Sequence, residues 1–72
     1  MIAAQIQTED LTHEELVERM MWCKEKFGPE AKYIDSVRDD RPWMREYSSY
    51  TRGYWWYFVK EEYATLFVLR WL

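Results

Sequence analysis

The large apolar residues of this chain fall into three patterns with different periods. The densest is Tyr54-Trp55-Trp56-Tyr57-Phe58-Val59, an unbroken run of aromatic and β-branched side chains that favours a strand. Alternation along a strand puts Tyr54, Trp56 and Phe58 on one face and Trp55, Tyr57 and Val59 on the other. Both faces are apolar, so both need cover. Helices of the same chain are expected over one. In a chain of only 72 residues the second is expected to meet another subunit or a ligand.

The second pattern has a helical period. Leu16, Met20, Cys23 and Phe27 recur at i, i+4, i+7 and i+11, and Val17 widens the stripe, which predicts a helix docked on a core. Thr12 is placed as its N-cap, with Glu15 completing a capping box and Leu11 set to staple onto Leu16. Gly28 and Pro29 end it. Trp22 stands off the stripe. At about 100° per residue it falls among Glu15, Glu18, Arg19 and Lys26, on the face a monomer gives to solvent. It is therefore expected either to lie over the stems of its charged neighbours or to anchor a partner, a role in which tryptophan is enriched.

The third pattern admits two readings. As a helix from Lys60, it gathers Tyr63, Ala64, Phe67, Val68 and Trp71 into one stripe, with Glu61 and Glu62 in the first turn and Arg70 near the end. As a strand, residues 60–63 turn and Thr65 to Leu72 form a second buried strand. The helix is preferred, because it puts a small residue where close packing needs one and lids Trp56 and Phe58.

Between these, Trp43 to Tyr50 suits a strand and Ser49 to Gly53 a hairpin loop with Gly53 at a positive φ. Met1 to Gln7 alternates weakly, as a half-buried strand or a loose arm. Tyr33, Ile34 and Val37 suggest a short strand, and Arg38 to Pro42 a polar turn. The expected fold class is α+β: one domain over residues 1–72, a small antiparallel sheet with an amphipathic N-terminal helix and a C-terminal helix packed on one face. Its stability as a monomer is expected to be marginal.

Composition narrows the chemistry. The single cysteine, Cys23, allows no internal disulfide and fits a reducing compartment. One Cys and one His make no metal cage unless carboxylates dominate it, so no metal or cofactor is expected. The N-terminus lacks the basic region of a signal peptide, and no apolar stretch approaches the roughly 18 residues of a membrane span, so no membrane is expected. His13 forms no triad with Asp10 or Glu14. The pairs Asp39-Asp40 and Glu61-Glu62 suit turns and helix caps better than acid–base work, and Gly28 and Gly53 are isolated rather than part of a phosphate loop. A non-catalytic chain is the expectation.

Arg38, Arg41, Arg45 and Arg52, interleaved with Trp43, Tyr47 and Tyr50, form the most suggestive cluster, because arginines neutralise phosphates while aromatics stack on bases. Acids beside them (Asp39, Asp40, Glu46) and a net charge of −3 weigh against a basic stripe. That charge is also too small for an acidic mimic of nucleic acid.

The succession Trp22…Phe27-Gly28-Pro29, an aromatic strand, then Phe58-Val59-Lys60-Glu61-Glu62-Tyr63-Ala64…Phe67-Val68-Leu69-Arg70-Trp71 resembles small uncharacterised proteins encoded by tailed bacteriophages, over roughly two thirds of the chain. The resemblance implies a phage origin and action in the host cytoplasm. It brings no catalytic residues. The resulting expectation is a protein-binding module, homodimeric, that binds or inhibits a host protein through Trp22, Trp43, Trp55 and Tyr57. The alternative is a single-stranded nucleic-acid binder using Arg41, Arg45, Arg52, Tyr47 and Tyr50.

Overall fold

A computed structural model describes all 72 residues. The elements in chain order are β1 (Ala4–Glu9), α1 (His13–Phe27), a single 3-10 turn (Ile34–Ser36), β2 (Trp43–Ser48), β3 (Gly53–Phe58) and α2 (Glu61–Trp71). The sheet order is β1-β3-β2 with both pairings antiparallel. The aromatic run is thus the central strand, and the connection from β1 through α1 to β2 leaves a slot that β3 fills. The α+β class is as the periodicities predict, with the tail a helix and the N-terminal alternation a true strand.

Local chemistry sets the element ends. The Thr12 hydroxyl accepts from the Glu15 N–H at 3.2 Å and the Glu15 carboxylate accepts from the Thr12 N–H at 3.0 Å, so two of the orphan donors at the start of α1 are satisfied reciprocally. Those hydrogen bonds, that from the Thr12 backbone foremost, hold the Glu15 carboxyl below its ordinary range. At the other end Gly28 takes φ 118° and its N–H returns to the Lys24 carbonyl at 3.0 Å.

The core lies between the sheet and the two helices. Ile6 pairs with Trp56, and Trp43 with Phe58, on the face that meets Cys23 of α1 and Ala64 and Phe67 of α2. Trp43 and Trp56 stack at 6.2 Å between ring centroids, and Trp56 lies 4.8 Å from Phe67. Indole N–H groups this deep need acceptors. Trp56 donates to the buried Thr8 hydroxyl at 3.0 Å, and Trp43 to the Gly28 carbonyl at 2.8 Å.

Four expectations are corrected. Tyr33, Ile34 and Val37 form no strand: Ile34 lies in the 3-10 turn, Tyr33 and Ile34 are exposed, and only Val37 is buried. Gly53 does not carry the positive φ of the hairpin, which falls on Arg52 at 54°. Gly53 is needed for a different reason, because a Cβ there would overlap the Thr8 carbonyl oxygen of β1. Val68 is not on the inner face of α2; Tyr63, Ala64, Phe67 and Trp71 turn inward and Val68 looks outward. Finally, the second sheet face does have an internal cover. Ala31 and Val37, from the irregular segment between α1 and β2, pack on Met44 and Tyr57 with Ile2, Trp55 and Val59 beside them.

Candidate functional site

The cover on the second face depends on backbone bonding rather than on regular structure. The Ala31 N–H donates to the Trp43 carbonyl at 2.8 Å, Arg38 and Arg41 exchange backbone hydrogen bonds at 3.0 Å each, and the N-terminal ammonium donates to the Val37 carbonyl at 2.9 Å. These bonds hold the segment over one end of the sheet only. Tyr57 is sealed beneath it at 7% exposure, and burial, with the charge of Glu46 as a lesser cause, pushes its phenol up. Its hydroxyl reaches the Glu46 carboxylate at 3.5 Å. Trp55, one alternation further along, is only half-buried, between its exposed cross-strand neighbours Gln7 and Glu46.

Two of the four residues expected to hold a partner are therefore buried inside the chain, and a third is partly buried there. Tyr57 is under the 29–42 segment, Trp43 is a core residue at 1% exposure, and Trp22 is held between the helices. The Trp22 ring meets Phe27 at 5.4 Å, Trp71 at 6.2 Å and Phe67 at 6.4 Å, all edge-on. The helical wheel of α1 missed this because it assumed one buried direction, toward the sheet. The helix has two, since α2 packs along its flank, where Arg19 also sits 4.9 Å from the Trp71 ring. Trp55, the fourth, is partly exposed at the margin of the second cluster, against which it packs.

The arginines and tyrosines of the alternative reading are dispersed. Arg41 precedes β2 and donates to the Glu30 carbonyl at 3.1 Å. Arg45 faces α1, 4.0 Å from the Glu30 carboxylate and 2.8 Å from the Met20 sulfur. Tyr47 packs edge-on against Tyr54 at 5.2 Å. Tyr50, 97% exposed, and Arg52 lie in the hairpin loop beyond the far end of β2, about 20 Å from Arg41 at the roughly 3.3 Å rise of a strand. No continuous basic groove joins them.

Cys23 is fully buried, and burial, followed by the negative charge of Glu30, pushes its thiol up to about 12. A thiol so placed holds its proton and reacts slowly. No group of three His, Cys, Asp or Glu side chains converges as metal ligands do, and no helix is long and apolar enough to cross a membrane.

Two surfaces carry exposed apolar side chains next to the sheet. One is the Trp55 end of the second sheet face. The other is the flank where α2 overhangs β1: Thr65, Val68, Leu69 and Leu72 recur at i, i+3, i+4 and i+7, and Leu69 and Leu72 are 77% and 68% exposed. No protein-family model, no curated protein and no solved structure matches this chain.

Proposed function

We propose that this chain is a non-catalytic protein-binding module, a small phage accessory factor that binds or inhibits a host protein, with Trp55 as its anchor. The observation that supports the reading is the position of Trp55. It stands mid-strand at the margin of the cover on the second sheet face, packed against the cluster of Ala31, Val37, Met44 and Tyr57 yet still partly exposed, with polar Gln7 and Glu46 on either side. A half-exposed tryptophan with a polar surround is the arrangement of a binding hot spot. Its acidic neighbours Glu46 and Glu9 suit a partner with basic residues around an apolar pocket.

The test is affinity capture from host lysate with the wild-type chain and Trp55→Ala, followed by titration of the captured protein. Truncating a hot spot costs at least about 2 kcal/mol, or roughly 30-fold in affinity. A partner held equally by both chains would refute the anchor. Binding of single-stranded oligonucleotide that weakens with salt and with Arg52→Ala would instead support the nucleic-acid reading.

A further inference from the structure

The two edges of the sheet are treated differently. Along the first half of β2 the outer edge is occupied: Ala31 donates to the Trp43 carbonyl, and the Glu30 carboxylate accepts the Arg45 N–H at 3.0 Å. Along β1 it is bare. The strand pairs only with β3, so alternate N–H and C=O groups on its far side have no partner within the chain. Its sequence, Ala-Gln-Ile-Gln-Thr-Glu, has none of the usual protection of an edge: no Lys, no Pro, and a single charge at its very end.

The groove beside that edge is apolar. It is lined by Ala4 and Ile6 of β1 and by Ala64, Thr65, Val68 and Leu69 of α2, with Glu61 at one end, and it continues onto Leu72. A bare strand edge and an apolar helix stripe thus form one surface. We propose that its occupant is a second copy of this chain, joined β1 to β1 in antiparallel register about a two-fold axis normal to the sheet.

That symmetry satisfies both halves of the surface together. A two-fold normal to the sheet makes the paired strands antiparallel and keeps both α2 helices in one layer, themselves antiparallel. The stripe of Thr65, Val68, Leu69 and Leu72 then meets its own copy over a continuous six-stranded sheet. Charge permits it. The two-fold sends Glu61 at the start of α2 and its copy to opposite ends, and likewise Glu9 at the end of β1 and its copy; Glu9 of one copy shares an end with Glu61 of the other, but alternation puts Glu9 on the opposite sheet face, with Gln7 and Trp55. A standard interface takes about 800 Å² from each partner, about a sixth of the 5128 Å² this chain exposes.

The dimer does not depend on the Trp55 reading, because the two surfaces are separate. The experiment is sedimentation equilibrium from micromolar to submillimolar loading on the wild type, Leu69→Glu, Thr65→Arg and Trp55→Ala, with far-UV circular dichroism to confirm folding. Wild type and Trp55→Ala are expected to dimerise. Leu69→Glu and Thr65→Arg, both at exposed positions, are expected to weaken the dimer by at least about 30-fold while remaining folded. Hydrogen exchange should show amides of β1 gaining protection with concentration in the wild type and not in Leu69→Glu. A wild type that stays monomeric throughout, even if a foreign strand occupies β1, overturns the proposal. So does a dimer that both stripe variants leave intact, or one that Trp55→Ala dissolves.

Discussion

Replacing Trp22 by alanine distinguishes a surface anchor from a structural wedge, and the geometry predicts the wedge. Truncating a fully buried tryptophan costs about 3–5 kcal/mol, and Trp22 is half-buried, so lost burial accounts for about 2 kcal/mol. Its edge-on contacts with Phe27, Phe67 and Trp71 each contribute about 0.5–1.5 kcal/mol beyond area, partly shared with the same burial. The expected loss is about 2–4 kcal/mol. A chain of this length has about 4–11 kcal/mol in total, at 0.05–0.15 kcal/mol per residue. The melting temperature should fall by about 8–32 °C, at about 4–8 °C per kcal/mol for a domain of this size. Urea unfolding followed by far-UV circular dichroism measures this without relying on the deleted fluorophore, and Trp22→Phe should recover part of the loss. A change below about 0.5 kcal/mol, the range of ordinary surface substitutions, would refute the packing of α1 against α2 through this side chain.

Two further outcomes concern the interior. Gly53→Ala should destabilise by about 1–3 kcal/mol, the cost of forcing extra volume into a packed site, because the atom it meets is a backbone carbonyl that cannot rotate away. Hydrogen exchange should show β1 loosening first, and an unchanged urea midpoint would mean that the strands separate more easily than the register implies. Cys23 should weaken the fold in alkali: the unfolded thiol ionises near its ordinary 9.0 while the folded one holds its proton to about 12. Its contribution is full below pH 9 and falls as the pH rises toward 12, by about 1.4 kcal/mol at pH 10. Tyr57, also raised, acts in the same direction, so the diagnostic quantity is the shallower alkaline decline of Cys23→Ala. An identical decline in both proteins would show that the thiol is not responsible.

Where a structural feature depends on near neighbours in the chain, the sequence was enough. The capping box is four residues long, Gly28-Pro29 cannot continue a helix, and α1, α2 and β3 carry their own periods. Half of the candidate surface was legible in the same way, because a strand with two aromatic faces leaves something like Trp55 to be explained. Tertiary structure decided the rest. Ala31 and Val37 are isolated among polar residues, so no period marks the segment as a cover, yet hydrogen bonds to the Trp43 carbonyl and from the Met1 ammonium and the Val59 N–H tie it over Tyr57. Trp22 looked exposed because a wheel assigns one buried face per helix, and only the side-by-side packing of α1 and α2 gives a second. Gly53 answers to the Thr8 carbonyl, a group 45 positions away, and the bare edge of β1 exists only because β3 lies between β1 and β2. Local patterns are set by backbone geometry within a few residues; which faces remain open is set by contacts between distant ones, and this determines where the molecule can bind.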